Sequence, residues 1–170
     1  VGFIILVLLL GMVLLGVGLY LAAPRYTPPD FPGMLETVKQ YLEAENLEEV
    51  RVRMDKMVEA RIEDQDDAIR GRYYQYLGDH DYLVYRDLYP VPVDTPESAN
   101  QLNKIVKAYE TAEDLGRTLD SHSMQRWAEA LVLKGLEDDA LAIVDRMKTD
   151  DASKRYELIR DLIEKHRSDG

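Results

Sequence analysis

The chain has 170 residues, no cysteine and a formal net charge of −11. All 53 charged side chains, 32 acidic and 21 basic, follow residue 23, so an apolar leading segment adjoins an acidic remainder long enough for one compact domain. The lack of cysteine excludes disulfides and thiolate metal sites. The acidic charge argues against nucleic acid as a partner, because phosphates would be repelled.

Residues 1–23 contain no ionisable side chain. As an α-helix this segment would rise about 34 Å, slightly more than the ~30 Å hydrocarbon core of a bilayer. It is also longer than the apolar core of a cleaved signal peptide. We therefore predict an uncleaved single-pass transmembrane helix in contact with membrane lipid.

Three small residues of this segment, Gly11, Gly18 and Ala22, fall on one helix stripe. Small side chains let two helices approach closely in lipid, so the stripe predicts packing against another transmembrane subunit. The alternative is that these residues only reflect the general frequency of glycine in such helices.

The flanks of the predicted span indicate its orientation. Because the chain opens at Val1 and not at Met, we expect further residues upstream. The visible flank from Pro24 to Asn46 carries only two basic residues, Arg25 and Lys39, which is typical of the non-cytoplasmic side. We predict a cytoplasmic N-terminus and a soluble domain on the periplasmic or equivalent side.

Beyond the membrane segment the predicted fold is all-α. Prolines predict a stiff tether at 24–33, since no helix can run unbroken through them. Apolar residues then recur at helical spacing, and no alternating stretch is long enough to build a sheet. We predict a helical subdomain at 34–89, a proline-rich linker at 90–96 and helical hairpins at 97–167.

Capping and breaking residues predict the helix boundaries in chain order. The first helix should run from about Gly33 to Glu45, and a longer region from about Leu47 to Leu77, with an acidic run at 63–67 that allows a break. Gly78 should end that region, and Asp79 should cap a short helix that reaches about Tyr89.

Later boundaries follow the same reasoning. Thr95 and Pro96 are typical of a helix start, and that helix should end at Gly116. Ser121 or Ser123 should cap the next, which Gly135 closes. Two more helices are expected, with these apolar sides: Ala140, Leu141, Val144 and Met147 in one, and Tyr156, Ile159 and Ile163 in the last.

One pair of these helices carries large and small residues at a distinctive spacing: Met124-x2-Trp127-Ala128-x2-Leu131, then Gly135, then Ala140-x3-Val144. In this spacing residues 121–150 resemble one tetratricopeptide repeat. Ala152 stands where the family's closing proline is expected, and no second copy follows at about 34 residues. The resemblance implies stacked helical hairpins of an α-solenoid, and an independent helical bundle remains the alternative.

The sequence contains no recognisable motif for catalysis or for metal or phosphate binding. The three histidines, His80, His122 and His166, have no partner at metal-ligand spacing. A calcium loop counted from Asp64 would place Ile69 where glycine is required. No serine lies in a glycine-flanked nucleophile turn, and no glycine loop could cradle a phosphate. We predict no catalytic, metal or cofactor site, and we do not expect an enzyme.

Tyrosine is concentrated instead. Six of the eleven tyrosines lie between residues 73 and 89, and Tyr73 and Tyr76 continue a buried stripe. The others lie partly off that stripe, so we predict a partner-docking surface at Tyr74, Tyr82, Tyr85 and Tyr89. The alternative is a tyrosine-rich core between two helices.

Together these features favour a membrane-anchored helical interaction module, an accessory or assembly subunit of a larger membrane complex. Its expected partners are lipid, other transmembrane subunits and a soluble or membrane protein. One alternative is a membrane-tethered, tetratricopeptide-like chaperone or receptor that binds client proteins. A membrane-bound hydrolase is the weakest of the three hypotheses.

Overall fold

A computed structural model describes residues 28–91, 93, 95–147, 157, 160 and 161. The described residues form α-helices and one 3-10 turn, with no strand among them, so the predicted all-α class is confirmed for this part of the chain. The helices are α1 (Phe31–Glu43), α2 (Leu47–Glu59), α3 (Asp67–Leu88), α4 (Pro96–Asp114), α5 (Ser121–Leu133) and α6 (Glu137–Arg146).

Side-chain caps explain where most helices begin. An Asn, Asp or Thr oxygen accepts a bond from a first-turn backbone N–H at five of the six starts, which satisfies a donor that has no partner inside the helix. The capping residues are Asp30, Asn46, Asp66, Thr95 and Asp120. Thr95 was predicted, whereas the predicted serine cap of α5 was wrong, because the carboxylate of Asp120 precedes both candidate serines and accepts from Ser123 N.

The first helix starts earlier than expected. Helix α1 begins at Phe31 and includes Pro32, two residues before the predicted start at about Gly33. Proline is tolerated there because a first-turn N–H has no partner within the helix. Phe31 itself is buried, so the domain begins directly after Asp30.

Two apolar clusters form the core. The first joins α1, α2, the 3-10 turn at Ile62–Asp64 and α3 as far as Leu83, with members such as Leu35, Val50 and Met57 fully buried. The second joins the end of α3 to α4, α5 and α6 around Tyr109 and Ala128. Helix α3 contributes to both clusters and therefore connects them.

The continuity of α3 corrects a prediction. Gly78 does not end a helix, and Asp79 does not cap one, because both lie in the interior of α3 and are buried. A Cβ at Gly78 would lie 2.8 to 3.0 Å from ring carbons of Tyr109. Glycine is therefore needed here for the close approach of α3 and α4, which outweighs its poor helix propensity. The break allowed at 63–67 is present, as the 3-10 turn that precedes α3.

Helices α5 and α6 form the hairpin in which the tetratricopeptide resemblance lies. Gly135 occupies the connection with φ +73, and Ala128, Ala140 and Val144 are fully buried where the two helices meet. A hairpin with small residues at its contact is thus present. Membership of the repeat family stays a prediction.

Several predictions concern residues outside the described part. These are the predicted span 1–23, the tether up to residue 27, and the residues Tyr156, Ile159 and Ile163 of the predicted last helix. Within the part of the chain that the structure describes, no helix is both long and apolar enough to traverse a bilayer.

Candidate functional site: a polar cluster, a groove and an apolar loop

A buried polar cluster lies where α3, α4 and α5 meet. Asp79 of α3 is its centre: its Oδ1 accepts a bond from the Tyr109 hydroxyl at 2.9 Å and lies 2.9 Å from Nη1 of Arg126. Its Oδ2 accepts a bond from the Ser123 hydroxyl at 3.0 Å. Both carboxylate oxygens are thus engaged by side chains that lie far away in the sequence.

Gln75 extends this cluster one turn along α3. Its amide nitrogen donates to Asp120 at 2.7 Å and to Ser123 at 2.9 Å, and its amide oxygen accepts from Arg117 Nε at 2.7 Å. Gln75 is fully buried, so these bonds replace those that it would make with water. Asp120 therefore has two roles, as the cap of α5 and as an acceptor for α3.

Burial raises the pKa values of two members of the cluster, Asp79 and Tyr109. Removal from water raises the pKa of Asp79, and the nearby Arg126 guanidinium opposes that shift. The pKa of Tyr109 is raised well above its usual value by burial and by the carboxylate of Asp79. The tyrosine hydroxyl is therefore a stable donor at neutral pH, and the cluster is held as a network of satisfied hydrogen bonds.

A cavity of about 320 Å³ adjoins this cluster between α1, α3 and α5. Tyr76, Asp79, His122 and Arg126 are among the side chains that line it. Ser123 is fully buried and its hydroxyl is bonded on both sides, so it is not presented to this cavity as a nucleophile. Among the described residues no group of three or more histidines, aspartates and glutamates could hold a metal ion.

The four tyrosines of the predicted docking surface differ in their exposure. Tyr85 is only 3 % exposed and its hydroxyl is 3.1 Å from Ser98 Oγ, so its ring belongs to the core of this chain. Tyr74, Tyr82 and Tyr89 are half-buried. The hydroxyls of Tyr74 and Tyr82 donate to Glu63 and Glu129 respectively.

Part of the tyrosine-rich region packs as a core. The Tyr85 and Tyr89 rings are 5.0 Å apart, and the Tyr73 and Tyr74 rings are 5.3 Å apart edge to face, which is the packing of a core. The part-exposed rings of Tyr74, Tyr82 and Tyr89 still reach the surface. Their contact with a partner stays a prediction.

An exposed apolar loop joins α3 to α4. Leu88 is 64 % exposed, Val91 is 69 % exposed and Val93 is exposed as well. These are three of the six large apolar side chains that the described residues expose, and they fall within six consecutive positions. Tyr89 lies between them. We name the set Leu88, Tyr89, Val91 and Val93 the apolar loop. Its composition is visible in the sequence, although its exposure was not inferred there.

A groove runs between α3 and α4 on another part of the surface, with a volume of about 440 Å³. Tyr74 and Leu77 contribute from α3, and Ala108 contributes from α4. Lys104 and Lys107 of α4 also line it and are exposed. We name this feature the α3–α4 groove.

Comparisons of the chain with protein-family models, with curated proteins and with solved structures found no match. Sequence reasoning missed the polar cluster, whose only local signal is a pair of polar residues, Gln75 and Asp79, four positions apart within the buried stripe of α3. The predicted helix-packing residues Gly11, Gly18 and Ala22 lie outside the described residues.

Proposed function

We propose that the chain is a membrane-anchored helical interaction module, an accessory or assembly subunit of a larger membrane complex. The observation that carries this proposal is the exposure of the apolar loop. Monomeric proteins seldom present several large apolar side chains together, and such patches are typical of protein interfaces. Half-buried Tyr89 belongs both to this loop and to the predicted tyrosine surface.

The membrane part of the proposal rests on residues 1–23, whose length and lack of charge suit a transmembrane helix. The low basic content of the following flank supports a cytoplasmic N-terminus and a domain on the periplasmic or equivalent side. In this arrangement Gly11, Gly18 and Ala22 would contact another transmembrane subunit, and the apolar loop would contact a protein outside the bilayer.

The test compares two variants of the full chain purified from native membranes in mild detergent. Leu88→Ser with Val91→Ser removes two exposed apolar side chains from the apolar loop. Full burial of such a side chain contributes roughly 1.5 to 3 kcal/mol, so we expect partner affinity to fall by about two orders of magnitude or more. Stoichiometric partners should then be lost.

Val52→Ser with Val58→Ser is the matched control, because both valines are exposed on α2. We expect this variant to retain the partners. Retention of the same partners by the loop variant, with both variants equally stable to heat, would contradict the proposal.

The α3–α4 groove favours a second candidate function, a membrane-tethered chaperone or receptor that binds client segments. Its apolar lining and the polar Asn103 at its edge suit a client-binding surface. Transient binding distinguishes this function from the first: client proteins would exchange within minutes in detergent, whereas an assembly partner would stay bound through purification.

A further inference from the structure

The α3–α4 groove combines an apolar floor with a basic edge. Tyr74 and Leu77 lie three residues apart on α3, and Lys104 and Lys107 lie three residues apart on α4. Residues at this spacing share one face of a helix. Apolar and basic groups therefore run side by side along the groove, with Ala108 between them.

The two lysines differ from the arginines of this domain in their pairing. Every arginine from Arg51 to Arg146 contacts a carboxylate or, for Arg117, the amide of Gln75. Lys104 and Lys107 have no carboxylate of the described residues within 4 Å. The acidic side chain that lines the groove, Asp81, is instead 3.0 Å from Nδ1 of His80.

We propose that the α3–α4 groove binds an acidic amphipathic helix of a partner protein. The apolar face of that helix would cover Tyr74, Leu77 and Ala108, and its carboxylates would pair with the two lysines. The choice of a helix follows from the groove itself, since a third helix packs readily into the furrow between two neighbouring helices. The inference rests on the proposed function and specifies the chemistry of one partner.

Charge complementarity is local to this groove. The chain as a whole carries −11, so an acidic partner is repelled by most of its surface. Adjacent lysines without an acidic partner provide a place where carboxylates are attracted, and the apolar floor beside them adds affinity that does not depend on salt. The repulsion elsewhere then helps to confine the partner helix to the groove.

The test uses the full chain in nanodiscs of zwitterionic lipid and two synthetic 18-residue peptides. One peptide is an amphipathic helix of Leu and Glu, and the other has Lys in place of every Glu. We expect the acidic peptide to bind through the groove, and fluorescence anisotropy with empty nanodiscs as the blank measures its affinity. The net charge of −11 attracts the basic twin to other parts of the surface, so its binding should not weaken when Lys104 and Lys107 are reversed in charge.

Charge-reversal variants test whether the acidic peptide binds at the groove lysines. Lys104→Glu with Lys107→Glu should weaken the acidic peptide about tenfold at low salt, since each exposed ion pair is lost and replaced by repulsion. The matched control is Lys56→Glu with Lys134→Glu, which changes the net charge equally at two lysines outside the groove. We expect it to weaken binding less than twofold. Equal weakening by both pairs would overturn the proposal.

A photo-crosslinking amino acid at Asn103, placed in the full chain in native membranes, identifies the natural occupant. Cross-links to a segment of another protein with apolar residues at helical spacing and flanking carboxylates are expected. Cross-links to lipid, to residues 148–170 of the same chain, or to a second copy would overturn the inference. If partners still co-purify through the apolar loop while the acidic peptide fails to bind, the groove assignment fails and the proposed function stands.

Discussion

Replacement of Asp79 by alanine should destabilise the domain more than any surface change on the same helix. Asp79 accepts bonds from Tyr109 and Ser123, both fully buried, and from Arg126, whose side chain is about a quarter exposed. Asp79→Ala leaves two buried hydroxyls without this acceptor, and each such loss costs about 1 to 3 kcal/mol. The Arg126 side chain is about a quarter exposed and can turn towards water, so we assign it no separate cost.

The expected total for the two hydroxyls is about 2 to 6 kcal/mol of unfolding free energy. For a domain of this size, a loss of that size lowers the melting temperature by about 8 to 24 °C. Urea denaturation followed by circular dichroism measures the free energy, and calorimetry measures the temperature. The penalty arises from unpaired donors and not from a favourable charge pair, because burial raises the pKa of Asp79 and so opposes its ionised form.

Two further variants make this reasoning testable. Asp87→Ala, also on α3, removes an exposed carboxylate whose contact is a 3.8 Å ion pair with Arg86, and it should change stability by less than about 1 kcal/mol. Asp79→Asn keeps an acceptor for Tyr109 and should cost less than Asp79→Ala. A cost below about 1 kcal/mol for Asp79→Ala, or equal costs at positions 79 and 87, would refute a stabilising role for the cluster.

Two other predictions follow from the packing around α3. Gly78→Val should lower the unfolding free energy by at least about 2 kcal/mol, because even a Cβ meets the Tyr109 ring. Ala99→Val, at an exposed position of α4, should lower it by only about 0.5 kcal/mol. Equal losses for the two variants in urea denaturation would contradict the close approach of α3 and α4. Burial raises the pKa of Tyr73 and of Tyr74 to about 12. The folded state therefore holds these two protons more tightly than the unfolded chain does. The resulting stability should be retained below pH 10 and lost as the pH rises towards 12. Absorbance at 295 nm follows phenolate formation, and full ionisation of the folded protein near pH 10 would contradict this shift.

Features that depend on local chemistry were predictable from the sequence. Thr95 followed by Pro96 predicted the start of α4, because a capping oxygen and a fixed φ act within one turn. Gly116 and Gly135 adopt positive φ values at the ends of α4 and α5, as glycine does in helix-ending turns. Hydrophobic spacing likewise identified the buried faces, since Tyr73 and Tyr76 are both in the core.

Features that depend on distant partners were not predictable in this way. By their local sequence preferences, Gly78 predicts the end of a helix and Asp79 predicts the start of one. These residue types have those preferences when no tertiary contact opposes them. In the structure a ring from α4 fills the space beside Gly78, and side chains from α4 and α5 engage Asp79. Tertiary contacts 30 or more positions away therefore override the local preference.

The candidate surfaces likewise combine a composition that the sequence shows with an arrangement that depends on distant contacts. The apolar residues of the apolar loop are evident from composition, but the exposure of Leu88, Val91 and Val93 depends on where α3 ends and α4 begins. The α3–α4 groove could not be foreseen, because it arises only when Leu77 and Lys107 are brought side by side by two helices. Conversely, Tyr85 was assigned to a surface by periodicity, and contact with Ser98 of α4 places it in the core.

Native mass spectrometry of the chain released from its own membranes tests the central claim most directly. An accessory subunit should appear in a particle that contains at least one different polypeptide at a fixed ratio, and the Leu88→Ser, Val91→Ser variant should release that polypeptide. A particle that contains only this chain, alone or in several copies, with lipid as its sole other component, would contradict the account.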